Sequence, residues 1–297
     1  MSRMTTVREN INRFGEQLNT MLSTFLTQHS NIYRWNDPND NEYVAVFSTS
    51  GNHAWKDLSV DARRLQSKLL QEFNMFSSLV GSLLHEQSDD TLQSYREFTG
   101  ELSKLIQQNS LTWYENTSEA LASGTTAIQG ILDLINRLYS ASAEALFVPD
   151  SNALISNPAI EQWSFPNTDR FSVVFTATVL SELDSMKVNH RNEAVRTKAE
   201  QVIRQIKEYR RRGDLSEGVP LLSNKVSAKS IATEPNFETT LPWLDPKNNN
   251  DRIIASVIEI MRKNTAAKVT IVSGDINLQN KADFARIPCC EPPSGSR

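Results

Sequence analysis

The sequence predicts two domains: an all-α bundle over residues 1–143, followed by an α/β domain over residues 144–297 with a small parallel sheet flanked by helices. Three observations lead to this prediction. A chain of 297 residues is long enough for two domains. Apolar residues in the first half recur every three or four positions, which is typical of amphipathic helices. From Leu146 onward, short β-rich runs alternate with helical segments, which favours a parallel sheet.

The first domain is predicted to be a bundle of four or more amphipathic helices. Ser59 is the predicted N-cap of the second helix. The helical spacing runs over residues 7–26, from Ser59 to about residue 85, over residues 90–113 and over residues 118–139. Between the first two helices, residues 36–41 are rich in Asn, Asp and Pro and predict a loop, and residues 43–47 predict a short extended segment.

The second domain begins with a change from helical spacing to β-rich runs. Strands are predicted at residues 146–149, 172–176, 220–222 and 268–272, with Cys289 and Cys290 in a final strand. Helices are predicted near residues 178–187, 191–212 and 251–264. Helical crossovers between strands imply a parallel sheet. Residues 225–250 are too long and irregular for an ordinary connection and are therefore interpreted as functional or mobile.

Composition excludes several classes of protein. The two cysteines are adjacent, so they provide neither a disulfide framework nor a four-cysteine zinc site. No apolar run is long enough to span a bilayer, and the first residues lack the apolar core of a secretory signal. A cytoplasmic protein without a membrane partner is therefore expected. The net charge of −4 divides into an acidic first part and a nearly neutral second part, which neither supports nor excludes a polyanionic substrate.

Four acidic residues lie at or just after the predicted carboxyl ends of strands, or at the start of a helix. Asp150 and Asp275 follow two strands, Glu182 lies in the helix after a third strand, and Asp251 begins a later helix. Carboxyl ends of parallel strands share one edge, where ligands bind. Clustered carboxylates need a compensating cation, and an all-oxygen site suits Mg²⁺ or Mn²⁺. Taken singly, each Asp is better explained by the frequency of Asp at strand ends and helix caps, and only the set of four favours a metal site.

Four segments in this half resemble the successive motifs of PIN domains. They are residues 148–155 (VPDSNALI), 178–187 (TVLSELDSMK), 250–255 (NDRIIA) and 272–278 (VSGDINL). All four occur in the family's order, which makes the signal specific. The resemblance covers about residues 146–290 and does not extend to the helical first part.

The resemblance implies a metal-dependent ribonuclease that cleaves single-stranded RNA by a metal-activated water, with Mg²⁺ or Mn²⁺ as cofactor. By motif, the catalytic and metal-binding positions are Asp150, Glu182, Asp251 and Asp275. Asn152, Ser273 and Asn277 match polar positions that support such a site. Asn277 stands where many members carry another acidic residue, which lowers the negative charge available for a second ion.

Several alternatives stay open at this point. The run Arg210, Arg211 and Arg212 at the end of a helix is interpreted either as a solvated face favoured by the helix dipole or as an RNA phosphate contact. The domain itself is either a nuclease or a non-cleaving module that binds RNA or protein. The helical domain is a candidate site for a protein partner or inhibitor, and a homo-oligomer is also open.

Overall fold

The computed structural model describes residues 6–35, 53–109, 111–139, 144–221 and 225–293. The chain divides into two compact units. One unit, Ile11–Leu138, is called the helical unit below. The other comprises Met1–Asn10 and Tyr139–Arg297 and is called the α/β unit. The predicted loop at 36–41 and the extended segment at 43–47 lie outside the described residues.

The helical unit is built on the four helices that the apolar spacing predicts. They are α1 (Val7–Thr24, whose first turn belongs to the α/β unit), α2 (Val60–Leu84), α3 (Asp89–Gln107) and α4 (Thr117–Leu138). Ser59 caps α2 as predicted, because its hydroxyl accepts a hydrogen bond from the Ala62 amide at 3.2 Å. Phe14 and Phe76 meet edge to face in the core, with ring centroids 5.3 Å apart.

Three short strands accompany these helices. They form an antiparallel sheet in the order β1 (Ile32–Arg34), β2 (His53–Trp55) and β3 (Leu111–Thr112). The last of these corrects the predicted third helix, which was expected to continue to Trp113. Gln108 has a left-handed conformation with φ of 52° and caps the helix, so the chain leaves the helical path there.

The α/β unit contains a six-stranded sheet. Its strands are β4 (Ala145–Pro149), β5 (Phe171–Thr176), β6 (Val219–Pro220), β7 (Val226–Ile231), β8 (Lys268–Val272) and β9 (Cys289–Cys290). The order across the sheet is β6-β7-β5-β4-β8-β9. All neighbouring pairs are parallel except β6 with β7. The mostly parallel sheet and the terminal Cys289–Cys290 strand are thus confirmed.

Two features of the sheet differ from the sequence prediction. The strand β6 is an antiparallel edge strand rather than a member of the parallel set, and Leu222 at its predicted end lies outside the described residues. The strand β7 lies within the segment that was interpreted as an irregular connection. Only Val226 and Ala228 of β7 are buried, so its apolar signal is weak and was missed.

In the described part of the chain, five α-helices flank this sheet. They are α5 (Ser151–Ser156), α6 (Ala177–Asn189), α7 (Glu193–Arg212), α8 (Asn249–Lys263) and α9 (Ile276–Phe284). The prediction included α6, α7 and α8, whereas α5 and α9 are too short for a clear helical period. Of the helices in the described part of the chain, none combines the length and apolar content needed to cross a membrane.

Candidate active site

The carboxyl ends of three adjacent parallel strands form one edge of the sheet, called the acidic edge below. The central strand β4 ends at Pro149 and is followed by Asp150. Its neighbour β8 ends at Val272 and is followed by Ser273 and Asp275, while β5 on the other side leads into α6, which carries Glu182. Strand order therefore brings the predicted residues to the edge where open parallel sheets bind ligands.

Asp150 is more deeply buried than Glu182 and Asp275, with 3% of its surface exposed. It is the N-cap of α5, and its Oδ1 accepts a hydrogen bond from the Ala153 amide at 2.6 Å. Its Oδ2 accepts a hydrogen bond from the hydroxyl of Ser273. Both carboxylate oxygens therefore have fixed directions, although the side chain lies in a poorly solvated place.

Burial raises the pKa of Asp150 above its ordinary value. The hydrogen bonds from Ser273 and Ala153 oppose this effect, because they favour the ionised form. The negative charges of Glu182 and Asp275 raise the pKa of Asp150 further. Three carboxylates thus lie within electrostatic range of one another, and ionisation of the buried one is unfavourable without a cation.

Glu182 is half-buried on α6 and is linked to the β4 end of the edge. Its Oε2 accepts a hydrogen bond from the hydroxyl of Ser151 at 2.8 Å. Ser151 directly follows Asp150 at the start of α5. This contact orients the Glu182 carboxylate toward the neighbourhood of Asp150.

Asp275 is half-buried and caps α9. Its Oδ1 accepts a hydrogen bond from the Asn277 amide at 2.8 Å, and its own amide donates to the Ser273 hydroxyl at 2.9 Å. The Asn250 side-chain amide at the start of α8 donates to Oδ2 at 3.3 Å. Ser273 therefore connects Asp150 with Asp275, and Asn250 connects Asp275 with α8.

Asp251 has a different environment from the other three acids. It is buried at the start of α8, and its Oδ1 forms an ion pair with Lys281 Nζ at 2.6 Å. Its Oδ2 accepts a hydrogen bond from the Asp245 amide at 3.1 Å. The charge of Asp251 is thus compensated by a lysine of α9.

The donor set at the acidic edge consists of oxygens and fits a hard divalent cation by its chemistry. Within the described ranges, however, no three Asp, Glu, His or Cys side chains form a group that could hold a metal ion. The Asp251–Lys281 pair gives one reason, since a lysine occupies the position where a cation would meet this carboxylate. Asp251 differs in this respect from Asp150, Glu182 and Asp275, whose contacts described above are hydrogen bonds.

The predicted supporting residues differ in their contacts. Ser273 is fully buried and bonds two parts of the site, as described above. Asn277 is exposed and reaches Asp275 through its backbone amide. Asn152 is exposed in the first turn of α5.

The arginine run lies at the other end of the sheet. Arg210, Arg211 and Arg212 are exposed at the end of α7. Arg212 donates to the Pro220 carbonyl at 2.9 Å, and Pro220 is in register with Ser227, which is opposite Ser172 near the start of β5. Thr176, at the carboxyl end of that strand, is four positions after Ser172, which corresponds to about 13 Å. The arginines are therefore not part of the acidic edge.

Sequence reasoning missed Lys281, Ser151 and Asn250. Lys281 lies on α9, which was not predicted, and nothing in the sequence pairs it with Asp251. Ser151 and Asn250 each adjoin a predicted acid, and this adjacency was the available signal. Polar residues next to a predicted ligand can orient it, because ligand carboxylates are themselves hydrogen-bonded.

The family model of the PIN domain matches residues 147–292 of the chain. The match contains the acidic edge, β4 to β9 and α5 to α9, except for the first two residues of β4. The helical unit lies outside the match. No curated protein matches the chain.

Proposed function

Because residues 147–292 are a PIN domain, we propose that the protein is a divalent-metal-dependent endoribonuclease that cleaves single-stranded RNA. PIN domains are generally metal-dependent nucleases. The observation that carries the proposal for this chain is the buried Asp150 with Glu182 and Asp275 as electrostatic neighbours. Burial and neighbouring negative charge both oppose ionisation of Asp150, and a bound cation reverses that balance.

Asp150, Glu182 and Asp275 are the proposed ligands of Mg²⁺ or Mn²⁺. Such an ion, when bound, lowers the pKa of a water molecule and neutralises charge on the scissile phosphate. Hydrogen bonds from Ser273, Ser151 and Asn250 hold the three carboxylates in position, so that little reorganisation accompanies the reaction.

Asp251 is proposed to act together with Lys281. The ion pair places an ammonium group beside the acidic edge, where it offsets repulsion between the carboxylates and an incoming phosphodiester. This arrangement favours one divalent ion over two, because Lys281 already compensates the fourth carboxylate.

The test is cleavage of a labelled single-stranded RNA by the full chain in Mg²⁺, Mn²⁺ or EDTA. We expect metal-dependent products with 5′-phosphate and 3′-hydroxyl ends. Asp150→Asn should reduce the rate at least about 100-fold, since the buried ligand is lost. The control is Asp283→Asn at an exposed position of α9. It removes one negative charge, as Asp150→Asn does, and should retain activity. Binding of Mn²⁺, followed by electron paramagnetic resonance, should weaken in parallel for Asp150→Asn.

The second candidate is a non-cleaving RNA-binding or protein-interaction module. The Asp251–Lys281 pair favours it, because a lysine in place of a metal at the fourth acid is compatible with lost turnover. Tight RNA binding without cleavage in any metal would select this candidate. Control of either activity by a partner of the helical unit is tested by comparing the full chain with and without that partner.

A further inference from the structure

A cleft of about 270 Å³ adjoins the acidic edge between α6 and the start of α8. On one side it is lined by Ser181, Glu182 and Ser185 of α6, and on the other by Asn249 and Arg252 of α8. Glu182 therefore belongs both to the acidic edge and to the cleft. A group bound in the cleft would lie next to the position proposed for the chemistry.

Arg252 provides the cleft with a positive charge. Its Nη1 donates to Asn249 Oδ1 at 3.4 Å, and its Nη2 forms an ion pair with Glu234 at 2.5 Å. These two bonds use two of the five guanidinium N–H donors. The side chain is 25% exposed, so its guanidinium is oriented by its neighbours and still reachable from the cleft. Such a fork binds phosphate oxygens well.

Thr178 supplies a second, independent observation. It lines the cleft and is fully buried, so it forms the floor. Its hydroxyl has no hydrogen-bond partner among the described residues. Buried hydroxyls are normally paired, and an oxygen-rich ligand would supply the missing acceptor.

The lining also distinguishes phosphate from a nucleobase. The described residues around the cleft are hydroxyl, amide, carboxylate and guanidinium side chains, with Met186 and without an aromatic ring. Bases of single-stranded nucleic acids are held chiefly by stacking on aromatic rings, which this lining does not offer. Arginine with hydroxyl donors matches the charge and the acceptors of a phosphodiester.

We propose that this cleft is a subsite for one internal backbone phosphate of the RNA, beside the scissile phosphodiester, with Arg252 as its charged ligand. The inference rests on the proposed function, since it takes the same strand as ligand. Arg252 acts here as a binding residue that positions the strand. Because the contact is to the backbone, recognition at this subsite is independent of base identity.

The experiment uses a 12-nucleotide RNA and the full chain carrying Asp150→Asn, in EDTA, so that the RNA stays intact while binding is measured. In a set of oligonucleotides, one linkage at a time is replaced by an uncharged methylphosphonate. We expect one internal linkage at which binding falls about tenfold. Adding Arg252→Gln should weaken binding of the unmodified RNA about tenfold and remove the sensitivity to that linkage. The salt dependence of log K should also become shallower by about 0.7.

Two variants provide controls. Arg204→Gln removes an exposed arginine that is paired with Glu200, as Arg252 is paired with Glu234, and should leave binding unchanged. Glu234→Gln releases Arg252 from its ion pair and should tighten binding about two- to threefold. The methylphosphonate scan leaves Arg252 intact, so it stays informative if Arg252→Gln proves poorly folded.

The outcomes separate this inference from the proposed function. The phosphate subsite would be overturned if the loss of binding free energy from Arg252→Gln simply added to the loss from the methylphosphonate at every linkage. An absence of RNA binding would also overturn it. If RNA binding depended on a terminal 5′-phosphate and not on an internal linkage, the assignment of the cleft to an internal phosphate would be overturned. Failure of the nuclease proposal appears elsewhere, as absence of metal-dependent cleavage by the wild type.

Discussion

Replacing Lys281 with Met tests whether the Asp251–Lys281 pair compensates the charge of the acidic edge. Met keeps most of the aliphatic side chain and removes the ammonium, leaving the Asp251 side chain 5% exposed and without this cation. At the 2.6 Å separation of Nζ and Oδ1, the gross attraction is about 6 kcal/mol with an effective dielectric constant near 20.

The net destabilisation should be smaller than this attraction. Breaking a buried pair by removing one partner typically costs about 3–5 kcal/mol. The Lys281 side chain is 31% exposed, so water screens its end of the pair. We therefore expect Lys281→Met to lower the free energy of unfolding by about 2–3 kcal/mol and the melting temperature by roughly 5–10 °C.

The assay is calorimetric unfolding of the full chain in EDTA, with Lys281→Met, Asp251→Asn and the double variant. The double variant should lose about 1–2 kcal/mol less unfolding free energy than the sum of the two single losses, because an uncharged Asn at position 251 needs no cation. Mn²⁺ should stabilise Lys281→Met more than the wild type, since the freed carboxylate adds a ligand. The partly exposed pair of Lys229 and Glu144, with atoms 2.9 Å apart, is the control and should show at most about 1 kcal/mol of coupling. A coupling below about 0.5 kcal/mol between Asp251 and Lys281 would refute this account.

Three further perturbations have directions set by the structure. Asp150→Asn should raise the melting temperature of the metal-free protein at pH 7, because burial raises the pKa of Asp150 above its unfolded value and its ionisation then opposes folding. The gain in melting temperature should vanish below about pH 4, where the carboxyl group is protonated in both states. An equal gain at all pH values would contradict this explanation. In urea unfolding, Gly130→Ala should lower the stability of the helical unit by about 1–3 kcal/mol, since the new Cβ meets the Phe98 ring. Gly100→Ala is the control, because its Cβ would meet open space among the described residues; it should stabilise the unit by up to about 1 kcal/mol. Burial raises the pKa of Cys289 and of Cys290 to about 12, so alkylation at pH 8 should be at least roughly 100-fold slower in the native protein than in urea, and equal rates would show the thiols to be accessible.

Much of the fold followed from local patterns in the sequence. The four helices of the helical unit have wide apolar faces and clear starts, as Ser59 before α2 illustrates. The buried strands β4, β5 and β8 are short runs rich in apolar residues between helical segments. Elements with weak local signals were missed. They include β7, of which only Val226 and Ala228 are buried, and the short helix α9.

The sequence by itself determined which acids follow the strand ends, and the strand order then brought Asp150, Glu182 and Asp275 to one edge. It did not determine the electrostatic partner of each acid. Lys281 is 30 positions from Asp251 in the chain, and the arginine run has a helical pattern that is equally compatible with either end of the sheet. Periodicity and capping depend on residues a few positions apart, so a sequence encodes them directly. Charge compensation depends on distances of a few ångströms between remote segments, which only the packing of α8 against α9 and the register of β6 decided.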